Sequence, residues 1–293
     1  MSTLRNRFAP FDAALAAAFE QNIASALAED IGACDWTALL LPEGAVVQAK
    51  LTLREAAVLC GAPWFEGVMA TVDPRLAIDW HFAEGDPMPA DAVVCTINGP
   101  ARSLMTAERT AMNFLQLLSG VASLTREYVA LIAGTGAAIL DTRKTLPGLR
   151  LAQKYAVRVG GGQNQRLALY DGILIKENHI AAAGGIAAAL RAAQILRGGA
   201  SGASPVSVQI EVESLDELQQ ALEAGATSVL LDNFSLEQMR AAVALNAGRA
   251  LLEASGGIRR ETVRAIAETG VDRISIGGLT KDVRATDYSL RVI

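Results

Sequence analysis

The sequence predicts an α/β protein in two parts, an α+β domain over residues 1–115 and a parallel α/β barrel, closed or open, over residues 116–281. Two patterns of apolar residues carry this division. In the first part apolar and polar residues alternate, the mark of strands with one covered face. In the second, short apolar runs are separated by helical segments, as in parallel strands buried on both faces.

The elements follow in chain order. Phe11, Leu15, Phe19, Ile23 and Leu27 recur at four-residue steps, one stripe of an amphipathic helix. Val47, Ala49, Leu51 and Leu53 then alternate with Gln48, Lys50, Thr52 and Arg54, and Leu76, Ile78, Trp80 and Phe82 alternate in the same way. A long helical stretch covers Leu104–Ile132. Six apolar runs come next: Ala138–Leu140, Gly172–Ile175, Val206–Ile210, Ser228–Leu231, Ala250–Leu252 and Arg273–Ile276. Ser214 with Glu217, and Ser235 with Gln238, have capping-box spacing, and Gly225 and Gly270 stand where helix C-caps are expected. Repeated β-α units of this kind favour a barrel. The tail, residues 282–293, alternates again and is expected to return to the first domain's sheet.

The composition narrows the function. The chain has 293 residues, 51% hydrophobic and 19% charged, enough apolar material for a large core. Its net charge of -5 excludes a general nucleic-acid binder but permits a local basic pocket. No charge-free run reaches the roughly 18 residues of a membrane span. Cys34, Cys60 and Cys95 lack metal or redox spacing, and the first residues lack an apolar leader, so a reducing cytoplasm is expected. Two histidines, His81 and His179, are too few for a His-rich metal site, and His179 reads as structural.

The informative feature is the chemistry placed directly after each apolar run. The runs lead in turn into Asp141-Thr-Arg143-Lys144, Lys176-Glu-Asn-His179, Glu211 with Glu213, Asp232-Asn233, Ser255-Gly256-Gly257, and Gly277-Gly278. In a parallel barrel these are the C-terminal strand ends, where active sites lie. Arg143, Lys144, Arg166 and Lys176, with Arg109 and Arg158 as further candidates, form a cationic set suited to carboxylate or phosphate. Glu211 and Asp232 could hold Mg²⁺, accept hydrogen bonds from ribose hydroxyls or stabilise developing positive charge, although Asp232 could equally cap the following helix. The two glycine pairs let backbone N–H groups approach a phosphate. Gly160-Gly-Gly162 reads as a flexible loop that lets Arg166 reach a ligand.

Several blocks in fixed order carry a family resemblance. They are Ala107–Gly120, Asp141–Arg150, Lys154–Arg158, Gly160–Arg166, Leu174–Ile180, Glu211–Glu213, Leu230–Phe234 and Ser255–Gly257. Together they resemble the quinolinate phosphoribosyltransferases, the carboxylating nicotinate-nucleotide pyrophosphorylases. The resemblance implies an N-terminal α/β sandwich joined to an α/β barrel, and a homodimer or higher oligomer in which Arg109 crosses the interface. It implies transfer of phosphoribosyl from phosphoribosyl pyrophosphate to quinolinate with loss of CO₂, using Mg²⁺. Arg109, Arg143, Gln165, Arg166 and Lys176 would bind quinolinate. Lys144, Glu211 and Asp232 would act on the phosphoribosyl donor and its metal. Lys144, Ser255, Gly256, Gly257, Gly277 and Gly278 would hold phosphate. Most members have His where this chain has Gln165; an amide still donates a hydrogen bond but supplies no proton or charge. Three rival readings are a Schiff-base aldolase using Lys176, a non-catalytic binder of phosphorylated ligands, and a nicotinate phosphoribosyltransferase.

Overall fold

The computed structural model describes residues 2–199 and 206–293. The chain opens with α1 (Ala13–Ile31), β1 (Val46–Leu53), β2 (Ala57–Val58), α2 (Ala62–Val72), β3 (Ala77–Trp80), β4 (Pro87–Met88), β5 (Val93–Pro100) and the long helix α3 (Ala101–Leu131). β6 (Ala138–Leu140), α4 (Arg150–Val159), β7 (Gly172–Ile175), α5 (Glu177–Ala183), α6 (Ile186–Gly199) and β8 (Ser207–Val212) follow. Next come α7 (Leu215–Glu223), β9 (Ser228–Asp232), α8 (Leu236–Asn246), β10 (Leu251–Ser255) and α9 (Arg260–Ala267). β11 (Arg273–Ser275), α10 (Gly278–Lys281) and β12 (Tyr288–Val292) complete it. Two compact units result, one of Met1–Arg126, Thr145–Gly161 and Leu279–Ile293, the other of Glu127–Lys144 and Gly162–Gly278.

The first unit holds an antiparallel sheet in the order β12-β1-β5-β3. The alternation read from the sequence is the pleat itself. Ala49, Leu51 and Leu53 are buried while Gln48 and Lys50 face solvent, and Ile78 and Trp80 are buried beside exposed Ala77 and Asp79. The C-terminal tail does return, because β12 pairs with β1 from Ala49↔Val292 to Leu53↔Tyr288.

Under this sheet lies an aromatic cluster in which Trp64 stands 5.3 Å from both Phe19 and Tyr155, centroid to centroid. The Tyr155 hydroxyl donates to Glu84 Oε1 at 3.0 Å. Glu84 also accepts from the N–H groups of Gly61 (2.8 Å) and Ala62 (3.2 Å), which open α2. Its carboxyl is buried, and burial pushes its pKa up to about 7.

α4 follows β6 and lies within the span 116–281 that the sequence assigns to the barrel. It belongs instead to the first unit. Its apolar side is what decides this: Ala152, Tyr155, Ala156 and Val159 are buried, and Tyr155 is a member of the aromatic cluster. The glycines after α4 also need correction. Gly160 is the C-cap of α4 and is buried, and a Cβ there would lie 2.5 Å from the Ala122 carbonyl and 2.6 Å from Thr125. It is a point of close backbone packing, not a loose loop.

The second unit holds a parallel six-stranded sheet in the order β6-β11-β10-β9-β8-β7. Its first and last members, β6 and β7, are neighbours in sequence, and residues 163–166 stand between them. Gln163 bridges to Leu140 in parallel, with its N–H donating to the Ile139 carbonyl at 2.8 Å. Arg166 Nη1 donates to the Gly172 carbonyl at 2.8 Å. The barrel is therefore incomplete, six full strands with a short extended segment beside β6.

Its C-caps are Ala224 on α7 and Glu268 on α9, with the predicted Gly225 and Gly270 one and two residues beyond them, and its N-caps obey the expected chemistry with one change. Ser235 and Gln238 form a reciprocal capping box on α8. On α7, Ser214 accepts from the Glu217 N–H, but the Glu217 carboxylate reaches back to the N–H of Glu213, one residue beyond a capping box. Among the described residues no single helix is long and apolar enough to cross a membrane.

Candidate active site

The parallel register brings the C-terminal strand ends of the second unit to one level. Glu211 on β8 pairs with Leu230 on β9, and Asp232 at the end of β9 pairs with Ser255 at the end of β10. Polar groups that lie 20 or more residues apart in sequence thus share a rim, as parallel-barrel geometry requires.

Lys176 and Glu211 meet there. The Lys176 ammonium donates to Glu211 Oε1 at 3.0 Å and to Oε2 at 2.8 Å. The Glu211 side chain is nearly buried and that of Lys176 is half-exposed. The sequence assigns these two residues to separate cationic and acidic sets; the fold pairs them. Such a pair offsets part of the cost of burying a carboxylate and fixes its direction. His179 accepts from the Lys176 backbone N–H through Nδ1 and helps cap α5, a structural role.

Two arginines carry an unanswered hydrogen-bonding demand. Arg143 and Arg166 each hold a buried Nε–H with no partner among the described residues. Burial, and after it the charge of Arg143, holds the Arg166 guanidinium below the usual arginine value. Two cations close enough to feel each other, each with a desolvated donor unspent, are costly in isolation. An anion placed between them relieves both costs. The loop that presents Arg143 is anchored by Asp141, a fully buried carboxylate that accepts from the Gln165 backbone N–H at 3.0 Å and from Asn164 Nδ2.

Lys144 is exposed, and its aliphatic stem lies over Gly277, where a Cβ would stand 3.0 Å from Lys144 Cδ. Gly256 and Gly257 both have left-handed backbone, φ +100° and +58°. A Cβ at Gly256 would collide with the Asn233 side-chain amide. Asn233 is itself left-handed, and its amide donates to Asp232 Oδ2 at 2.8 Å. Asp232 is not the cap of α8, because Ser235 is, so its carboxylate remains available to the rim. Gly256→Ala is expected to push Asn233 off Asp232 and raise KM for the phosphate-bearing substrate several-fold; a steady-state titration of that substrate checks it.

The predicted residues Arg143, Lys144, Gln165, Arg166, Lys176, Glu211, Asp232, Ser255, Gly256, Gly257, Gly277 and Gly278 all belong to the second unit. Arg109 is exposed on α3 in the first unit, and Arg158 is exposed in the last turn of α4. Sequence reasoning missed Gln209 and Glu253. Gln165 Nε2 donates to Gln209 Oε1 at 2.9 Å, and Gln209 Nε2 donates to Glu253 Oε2 at 2.9 Å. A signal for them exists, since each stands two residues before a rim residue, Glu211 and Ser255, and two residues is the period of one strand face.

An incomplete parallel barrel whose strand ends carry cations, two carboxylates and glycine pairs suits a class, the barrel transferases that act on anionic, phosphorylated substrates. Comparison with known proteins narrows it. Residues 121–291 match the model of the quinolinate phosphoribosyl transferase C-terminal domain, and residues 35–119 that of its N-terminal domain. The chain belongs to the quinolinate phosphoribosyltransferase family. It is 39% identical over 290 residues to a nicotinate-nucleotide pyrophosphorylase [carboxylating] of Mycobacterium leprae, covering 96% of this chain and 97% of that one. A probable nicotinate-nucleotide pyrophosphorylase [carboxylating] of Bacillus subtilis is 38% identical over 264 residues, 90% of each chain. Among solved structures, the nicotinate-nucleotide pyrophosphorylase of Francisella tularensis superposes with a TM-score of 0.90 at 45% identity, covering 94% of this chain and 96% of that one.

Proposed function

We propose that the protein transfers phosphoribosyl from phosphoribosyl pyrophosphate to quinolinate and releases CO₂, forming nicotinate mononucleotide for NAD synthesis. The observation that carries this reading is the pair of buried, unpartnered Nε–H groups on Arg143 and Arg166. Planar guanidinium forks match carboxylates, and a substrate with two adjacent carboxylates matches two forks.

The pyridine nitrogen of quinolinate donates its lone pair to C1′ of the ribose as the C1′–O bond to pyrophosphate breaks. Positive charge develops on the ribosyl carbon, and Glu211 and Asp232 stabilise it from the rim. Lys176 holds Glu211 in place during this step. Arg143 and Arg166 orient the ring so that nitrogen and C1′ meet in line. The quaternised ring then accepts the electron pair left when the neighbouring carboxylate departs as CO₂, and that ring carbon takes a proton. No covalent enzyme intermediate is required, so the pairing of Lys176 with Glu211 speaks against its use as a Schiff-base lysine.

Lys144 and the turns at Gly256–Gly257 and Gly277–Gly278 hold the donor's phosphates. Mg²⁺ is an ion that takes few carboxylates and keeps water and substrate phosphates. Glu211 and Asp232 would hold it with the pyrophosphate, where it would neutralise charge on the leaving group. Arg109, exposed in the first unit, completes the quinolinate pocket from the partner in a homodimer or larger assembly. The three free cysteines accord with a cytoplasmic setting.

The test is turnover of quinolinate against nicotinate, each with phosphoribosyl pyrophosphate and Mg²⁺. Release of CO₂ with quinolinate and negligible product from nicotinate is expected. Equal or better use of nicotinate would overturn the assignment.

A further inference from the structure

Asn233, directly after the rim residue Asp232, is held in a strained backbone conformation. Its φ is +57°, in the left-handed region, and among the described residues only two other non-glycine residues, Asp91 and Ala247, have a positive φ. Glycine takes up this backbone without strain, and the chain uses glycine at most such places. A side chain retained here at a conformational cost points to a local purpose. Capping α8 is not that purpose, because Ser235 and Gln238 already cap it reciprocally. Nor is the side chain needed to hold the backbone. The Asn233 N–H donates to the Ser255 carbonyl at 2.9 Å, which carries the β9–β10 ladder one step past the Asp232↔Ser255 pair.

Among the described residues the side chain makes one hydrogen bond, from Nδ2 to Asp232 Oδ2 at 2.8 Å. On its other side, Oδ1 and Cγ lie where a Cβ on Gly256 would stand. The amide is thus wedged between the rim carboxylate and the glycine turn that follows β10. Asn233 is exposed, so water competes for both groups and the bond adds little to stability. What it fixes is direction. An aspartate turns freely about its two side-chain torsions unless something holds it. With Oδ2 tied to Asn233 and the amide seated on Gly256, the Asp232 carboxylate keeps one orientation relative to the turn.

We propose that Asn233 is a positioning residue for the phosphoribosyl donor: its side-chain amide, seated on Gly256, orients the Asp232 carboxylate toward the donor without touching the substrate. The inference rests on the functional reading above. It deepens that reading by assigning the orientation of Asp232 to a particular side chain and by confining the effect to one of the two substrates.

Steady-state constants and thermal melts of the full-length enzyme test it. Asn233→Gly keeps the left-handed backbone, removes its strain and deletes the amide. It is expected to lower kcat about tenfold, the scale of one lost hydrogen bond, and to raise KM for phosphoribosyl pyrophosphate several-fold. KM for quinolinate should stay within about twofold, and the variant should melt no lower than the wild type, since relief of strain offsets the loss of an exposed bond. Asn233→Asp keeps the shape and tolerates the same backbone, but it presents oxygen where the donor nitrogen stood. It is expected to reproduce the selective loss. Added to Asp232→Ala, Asn233→Gly changes the residual kcat by less than about twofold, because the carboxylate it orients is already gone. The proposal is overturned if Asn233→Gly keeps the wild-type kcat and donor KM, or if both KM values rise together. It is overturned equally if the loss persists beside Asp232→Ala, or if the melting temperature falls along with activity. Absence of CO₂ release by the wild type would instead refute the functional reading itself, so the two failures are distinct.

Discussion

Arg143→Ala is expected to lower kcat/KM for quinolinate by at least roughly a thousandfold while leaving the fold intact. The size reflects loss of a two-pronged, charge-assisted contact to a carboxylate, about 1.5–3 kcal/mol for each hydrogen bond. The intact fold reflects the part Arg143 plays in the protein: its Nε–H is buried without a partner, so its removal deletes no internal hydrogen bond from that atom and relieves repulsion on Arg166. Release of labelled CO₂ measures the first effect, and circular dichroism with a thermal melt measures the second. Wild-type turnover in the variant would remove the guanidinium pair from the binding site. A melt lowered by many degrees would mean that Arg143 is structural.

The second large effect concerns stability in the first unit. Glu84→Ala leaves the Gly61 and Ala62 N–H groups and the Tyr155 hydroxyl without the acceptor they share. Three stranded donors under a packed aromatic cluster predict a loss of about 3–5 kcal/mol and a melting temperature lower by roughly 10 °C. A fall of only a degree or two would show that the site refills easily.

The same carboxyl makes stability depend on pH. Its folded pKa of about 7 lies above the ordinary 4.5, so between these values the folded state binds more protons than the unfolded chain. The contribution is fully present below pH 4.5 and is lost as pH rises through 7. Between pH 5 and pH 8 the melting temperature should therefore fall further in the wild type than in Glu84→Gln, which cannot titrate. Equal falls in the two proteins would place the proton elsewhere.

Much of the fold and of the rim was legible because it is written in local period. Alternation at Val47–Leu53 can describe only a strand with one covered face, and six apolar runs each followed by charge or glycine can hardly describe anything but parallel strands with a working end. These are statements about neighbours in the chain. Gln209 and Glu253 escaped for the converse reason. Gln209 shares its run with Ser207, and Glu253 directly follows Ala250–Leu252, yet neither pattern names the partner 44 residues away that each meets in the fold. α4 fell inside the barrel span only by its place in the chain, and chain order does not say which unit a helix packs into.

The sequence by itself determined the parallel strands, the residues at their C-terminal ends and the anionic character of the ligand, because side-chain period and charge are local properties. Only the tertiary structure decided that Lys176 answers Glu211, that Arg143 and Arg166 each bury an Nε–H with no partner among the described residues, and that Gly160 is a tight contact. Those depend on which strands become neighbours and at what register, and a hydrogen bond tolerates errors of only a few tenths of an ångström in that placement.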